Sequence, residues 1–396
     1  MKLGRDSAEF PAFKNREQKL TQTFAAVERR LQAAQATHLG YPYNLSFAPA
    51  SPDRLSRYQI TDLADPETGS RRGSAVSQQE REAVLWLMRL WGCPEPEQFW
   101  GAIGASGTEG NLWGIYLGRE MLPGAILLHS ADAHWSVAHA ARILAVPRLS
   151  VAALPNGEMD MVDLAARLHS LAGRPVILML TCGTSMKGAH DDISAALLVM
   201  RKAGYNRETS FVHVDGALNA MVLPFLQDVP EGILPSFDKA IDSLSISGPK
   251  MIGTPMPCGV LVTHKDHIAR VKQVGAGLRS SKEAMIGAGN GHAVLALWAR
   301  LFGQGYGSIA QDAMRCVRRA GQLAGELAGL GAKVLYNPFS MTVVFPEPAD
   351  VIVRRYQLAC EDGQAHAIVM PSVTEGMLGL FLADYAAWWN ERTRQT

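Results

Sequence analysis

Along this chain, short runs that are apolar at nearly every position alternate with longer stretches in which apolar residues return every three or four positions. The short runs are FWGAIGA, AILLHS, RLSVAAL, PVILML, FVHVDG, SLSIS and GVLVTH. Between most of them lie NLWGIYLGRE, WSVAHAARIL, MVDLAARLHSLAG and ISAALLVMRKAG, which have the helical period. A strand apolar on both faces is buried on both faces. The pattern therefore predicts an α/β fold, with a seven-stranded, mainly parallel sheet covered by helices on either side.

The flanks differ. Residues 16–37 read as a polar amphipathic helix, followed by HLGYPYNLSFAPASPDRL, an ordered loop rich in Pro and Tyr at the mouth of any site. SQQEREAVLWLMRLWG reads as a helix opened by a capping box, Ser77 with Glu80, and an apolar face of Val84, Leu85, Leu87, Met88 and Trp91. After about residue 265 two helices, GHAVLALWARLFGQG and IAQDAMRCVRRAGQLAGELAGL, lead into strands at KVLYNP, MTVVFPEP and AHAIVMP and a closing helix, EGMLGLFLADYAAWW. This predicts a smaller α+β C-terminal domain. The expected division is 1–60 (helix and loop), 61–290 (large domain) and 291–396 (small domain).

Composition narrows the function. With 38 basic against 37 acidic residues, a formal net charge of +1 makes no case for nucleic acid or an anionic membrane. Five scattered cysteines without CxxC spacing suggest neither disulfides nor a metal site, and fit a reducing cytoplasm. The N-terminal stretch is charged where a secretory leader needs an apolar run.

In an open parallel sheet, ligands gather at the carboxyl ends of the strands, and four such ends are unusual. GASGTEGNLWG is a glycine-rich turn into a helix carrying Gly107 and Thr108 in its first turn, which suits a phosphate and also suits any tight turn. His134 follows the run AILLHS, where a helix-capping role is equally open. Asp215 ends the apolar FVHV, so its carboxylate needs a cation or a set of donors. Lys250, in SISGPKMIGTP, follows another strand end, where desolvation lowers an ammonium pKa as a covalent nucleophile requires; alone it also reads as a surface lysine. Together they are the parts of a pyridoxal 5'-phosphate site: an amine for the aldehyde, an acid for the pyridine nitrogen, a ring-stacking imidazole and a phosphate cradle.

Those motifs, with YPYNLSF, LWGCPEPEQFWGAIGASGTEGNLWGIYLGRE, LTCGTSMKGAHDDI, FVHVDGALNAMVLPF, GNGHAVLALW and RRYQLACEDGQAHAIVMPSVT, run in order through most of the chain. The sequence thereby resembles the group II pyridoxal phosphate-dependent amino-acid decarboxylases, in the branch of the histidine and plant serine decarboxylases. The resemblance implies a type I aminotransferase-like fold and a homodimer with sites at the subunit interface. By position it implies Lys250 as the residue that bonds the cofactor, Asp215 on the pyridine nitrogen, His134 on one ring face and Ala217 on the other. Gly107, Thr108, Ser245 and Ser247 would hold phosphate, Thr184 would lie near the cofactor, and Asn44 and His292 would face the substrate.

The chain also departs from that family. Where relatives place a histidine before the lysine it has Pro249, and the segments Ser46–Phe47–Ala48–Pro49, Ala75–Val76–Ser77 and Ala288–Gly289–Asn290 lack polar groups that relatives carry. The expectation is a cytoplasmic enzyme removing the α-carboxylate of a small L-amino acid substrate. The alternatives are another pyridoxal phosphate reaction (oxidative deamination, replacement or carbon–carbon bond formation) and a non-catalytic dimeric homologue.

Overall fold

Residues 16–46, 53–62, 75–274 and 289–395 are described by the computed structural model. The first elements are α1 (Arg16–Gln35) and a two-residue strand β1 (Thr61–Asp62). The apolar runs become β2 (Phe99–Gly104), β3 (Ile126–Ser130), β4 (Arg148–Val151), β5 (Val176–Thr181), β6 (Ser210–Asp215), β7 (Ser243–Ser247) and β8 (Gly259–His264). They form one seven-stranded sheet in the order β2-β8-β7-β6-β5-β3-β4. Only β8 runs against its neighbours; the pairings from β7 through β6, β5 and β3 to β4 are all parallel.

The helices are α2 (Ser77–Leu90), α3 (Gly107–Met121), α4 (Trp135–Ile143), α5 (Met161–Ser170), α6 (Ile193–Lys202) and α7 (Lys265–Val274). Strand β5, VILMLT, shows why both faces are apolar. Val176, Leu178 and Leu180 enter one core with Leu164 and Leu168 of α5, while Ile177 and Met179 enter a second with Ile115 of α3 and Val137 of α4. Each such side chain contributes about 1.5–3 kcal/mol when fully buried.

A short strand β9 (Gly289–Asn290) pairs with β1 and opens α8 (Gly291–Gly329), which is bent at Gly305, a residue with φ of 74°. The two helices expected there are both present, joined end to end at Gly305, whose backbone is not helical. Around it stand β10 (Leu335–Tyr336), β11 (Thr342–Pro346), α9 (Asp350–Tyr356), β12 (Ala359–Glu361), β13 (Gln364–Ile368) and α10 (Glu375–Gln395). The second sheet, β10-β11-β13-β12, is antiparallel throughout. Helix α9 and strand β12, seven and three residues long, were not expected; both are too short to establish a period.

The capping box is a correction. Helix α2 starts at Ser77, Val76 holds the capping position, and the Glu80 carboxylate, fully buried, accepts the Ile103 N–H at 2.8 Å. The acid is used to tie the helix to β2. Among the described residues no helix is long and apolar enough to cross a membrane.

One sequence feature sets how close α3 lies to the sheet. Gly110, Gly114 and Gly118 recur every four residues and face the strands: a Cβ on them would come within 2.6 Å of Ser245 Cβ, 2.2 Å of His213 Nδ1 and 2.8 Å of Ile177 Cγ1. Alanine normally favours a helix interior over glycine by about 1 kcal/mol. Gly114→Ala should instead destabilise by about 1–3 kcal/mol through overpacking against the buried His213 ring. A lowered thermal unfolding midpoint is the expected readout, and an unchanged or raised one would contradict this packing.

Candidate active site

At the carboxyl edge of the parallel strands the chain leaves a cleft of about 520 Å³, reached from the sheet, the 40–43 segment and the small sheet alike. Ser106 caps α3, its hydroxyl accepting the Glu109 N–H at 3.2 Å, and Ser106, Gly107 and Thr108 line the cleft. This turn lies directly on β8: a Cβ at Gly259 would stand 2.3 Å from Ser106 O. Gly107 faces Ser247 Cβ and Ala217 Cβ, 3.2 and 3.4 Å from where its own Cβ would be.

Asp215 ends β6, buried at 4% exposure. Its carboxylate is held by the Asn111 amide, Nδ2 to Oδ2 at 2.7 Å, and by the Ala217 N–H at 3.0 Å. Asn111 gives its other hydrogen to Ser136 Oγ at 3.0 Å, and Ser136 Oγ stands 2.7 Å from His134 Nδ1. That nitrogen also accepts the Ser136 N–H at 3.3 Å, so it acts as an acceptor and the ring proton sits on Nε2. Burial pushes the His134 pKa down, with Asp215 opposing and Lys250 adding to the shift, so the imidazole is neutral. Beneath them His213 is boxed by Ser243 Oγ at 2.7 Å and Asn111 Oδ1 at 3.3 Å, and burial drives its pKa down to about 4.

Lys250 lies in the turn after β7. The turn is closed by Gly253 N–H to Gly248 O at 2.9 Å, with Gly253 at φ +76°. Asn44 fastens it from outside: its N–H donates to Pro249 O at 3.0 Å and its Nδ2 to Met251 O at 3.0 Å, bracketing the lysine. Burial lowers the Lys250 pKa, and the nearby Asp215 charge pulls the other way.

The structure thus gathers Lys250, Asp215, His134, Gly107, Thr108, Ala217 and Ser247 on one cleft, with Pro249 in its wall. The other expected residues lie elsewhere. Ser245 is fully buried under the floor and donates to Asn111 Oδ1 at 3.2 Å. The Thr184 hydroxyl accepts the Ala189 N–H at 3.0 Å and borders an adjoining cleft. Asn44 grips the lysine turn, and His292 sits at the start of α8 with Nε2 2.9 Å from Tyr58 O. Residues 47–49 and 288 are outside the described residues; Val76 is buried and Gly289 pairs with Asp62.

Sequence reasoning missed Asn111, Ser136 and Thr181. The signal for Asn111 was an amide inside an apolar helical run, four residues after Gly107 and so on the same face. Thr181 Oγ1, buried at the cleft beside Asp215, has no hydrogen-bond partner among the described residues. Trp113 packs in the core as large aromatics at helix starts do, but Trp135 is 63% exposed at the cleft mouth. Among the described residues no group of His, Cys, Asp or Glu could hold a metal.

Comparison with known proteins places the chain among relatives of one family. The family profile "Pyridoxal-dependent decarboxylase conserved domain" matches residues 119–329. Serine decarboxylase 1 of Oryza sativa subsp. japonica is 37% identical over 385 residues, 96% of this chain and 79% of that protein. Histidine decarboxylase of Solanum lycopersicum is 34% identical over 88% of this chain and 84% of its own length. In fold, the chain is similar to the crystal structure of L-methionine decarboxylase from Streptomyces sp.590, with a TM-score of 0.83 and 23% identity, covering 96% of this chain and 98% of that one.

Asn111→Leu keeps the volume but leaves Asp215 short of a donor, and should lose about 1–3 kcal/mol of unfolding free energy in urea titrations. Ser136→Ala, which spares the bond to Asp215, should lose less; equal stability of Asn111→Leu and the parent would show that the amide does not hold the acid.

Proposed function

The chain belongs to the pyridoxal-dependent decarboxylase family, and from that premise we propose that Lys250, Asp215 and His134 are the groups through which it acts on its substrate. It is an amino-acid carboxy-lyase that works with pyridoxal 5'-phosphate. The observation that carries the assignment of residues is the convergence of a half-buried lysine, a buried aspartate and a half-buried histidine on one cleft.

The donor set fits the cofactor. The N-terminus of α3, with Ser106, Gly107, Thr108 and the nearby Ser247, suits a phosphate dianion, and no Cβ at Gly107 obstructs a close approach. Asp215 suits a pyridinium N–H, and the orphan hydroxyl of Thr181 beside it suits a polar substituent on the ring. His134 and Ala217 would flank the two ring faces, and Lys250 would bond the aldehyde carbon. When bound, pyridoxal phosphate supplies an electron sink for the pair released as the Cα–carboxylate bond breaks.

The chain's own residues do the rest. Desolvation keeps a larger share of Lys250 as the free amine, and the Asn44 clamp fixes where that amine stands. Asn111 and the Ala217 N–H hold the Asp215 carboxylate so that it keeps a proton on the ring nitrogen. Ser136 leaves the His134 proton on Nε2, as a donor to the developing charge. Residues 61–290 would carry the cofactor while 1–60 and 291–396 close over it; Tyr41 and Tyr43 from one, and Ala359, His366 and Ile368 from the other, line the cleft.

The active form is a homodimer in this reading. Supporting it is an apolar stripe on α1, with Leu20, Phe24, Val27 and Leu31 exposed at 56, 67, 37 and 58%. The five free cysteines, four of them buried, support a cytoplasmic setting.

Two outcomes check these assignments. Carbon dioxide release, and covalent fixation of cofactor by borohydride, should both vanish in Lys250→Ala; retention of either would refute the lysine's role. The double substitution of Phe24→Glu and Leu31→Glu should halve the mass in sedimentation; an unchanged sedimenting mass would exclude α1 from the dimer contact.

A further inference from the structure

Resting on the decarboxylase reading above, the geometry points to a substrate class: we propose an L-amino acid whose side chain is bulky, uncharged and mainly apolar. The cleft has one end committed to the cofactor, at α3, β6 and the lysine turn. Away from that end it is lined by Tyr41, Tyr43, Ala359, His366 and Ile368. Apart from Lys250 and Asp215, both already engaged, no Asp, Glu, Lys or Arg lines the cleft among the described residues. A charged substrate side chain would shed its water there without meeting a counter-charge from the described residues, at a cost of several kcal/mol.

The polar atoms of His366 are engaged away from the substrate. Its Nε2 lies 2.9 Å from Gly40 O and its Nδ1 3.1 Å from Met186 O, so both nitrogens face backbone carbonyls and ring carbon is what remains for the cleft. Burial lowers its pKa, and those carbonyls pull the other way. The aromatic rings are ordered as a wall: Tyr41 and Tyr43 stack at 6.3 Å with an interplanar angle of 17°, and Tyr41 stacks in turn on His38 at 6.1 Å. Charged groups appear in an adjoining cleft past Trp135, where Lys187 is already paired with Asp132 at 2.8 Å.

The test is a panel of L-amino acids given to the loaded enzyme, read as carbon dioxide release and, separately, as quenching of tryptophan fluorescence, to which the exposed Trp135 contributes. Leucine, methionine or phenylalanine should give the highest kcat/KM, about 10-fold or more above serine and histidine, and about 100-fold or more above glutamate and lysine. Carbon dioxide chiefly from serine, histidine, glutamate or lysine would overturn the substrate class and leave the reaction standing. Saturable quenching by the apolar amino acids, with carbon dioxide from none, would do the reverse. Neither signal from any amino acid would overturn both. Tyr41 is half exposed and lines the cleft, so Tyr41→Arg should raise turnover of glutamate relative to leucine about 10-fold or more. An unchanged ratio would remove Tyr41 from the substrate's end of the cleft.

Discussion

A carboxyl group buried at the end of a parallel strand is the constraint around which this structure is organised. At that depth the Asp215 oxygens need donors in place of water, and they obtain them from the amide of Asn111 and the N–H of Ala217. Asn111 reaches it because α3 lies close to the sheet, and α3 lies close because Gly110, Gly114 and Gly118 present no side chain to β7, β6 and β5. The same approach brings the helix N-terminus to the cleft, where an anion is favoured. The packing of α3, the hold on Asp215 and the position of the helix N-terminus at the cleft are therefore consequences of one spacing of glycines.

Much of this was legible in the sequence because it is written in periods. Five of the seven strands appear where apolar residues are nearly continuous, since burial on both faces leaves little room for a polar alternate, while β7 alternates serine with Leu244 and Ile246 and β4 is largely open to solvent. The strand-end residues Lys250, Asp215 and His134 were legible because each breaks an apolar run. Less visible were contacts between residues distant in sequence. Asn44 pairs with a turn more than two hundred positions later, and nothing local distinguishes that role from facing a substrate. Ser245 alternates with apolar neighbours on β7, but whether its hydroxyl meets a ligand or a neighbouring side chain depends on α3 above it. Glu80 looked like a cap because the spacing matched, yet a strand N–H competes for the same carboxylate and wins where water is excluded.

The departures at the lysine turn acquire a physical sense. Pro249 contributes no side-chain donor, but its carbonyl is the acceptor for Asn44, so the position anchors the turn through its backbone. A residue locked at φ near −65° also stiffens the approach to the amine. Loss of a polar side chain there and rigidity of the turn are compatible within one residue.

The Asn44 clamp has a consequence for the order in which the molecule assembles. Every strand of the large sheet can pair without the N-terminal segment, whereas the turn bearing the amine gains its two outer fastenings only when residue 44 docks. Such a distant contact carries a loop-closure cost and belongs late in folding. Chains nicked or stalled in that segment would keep a native-like sheet around a Lys250 turn free to wander, so the scaffold matures before its cleft does.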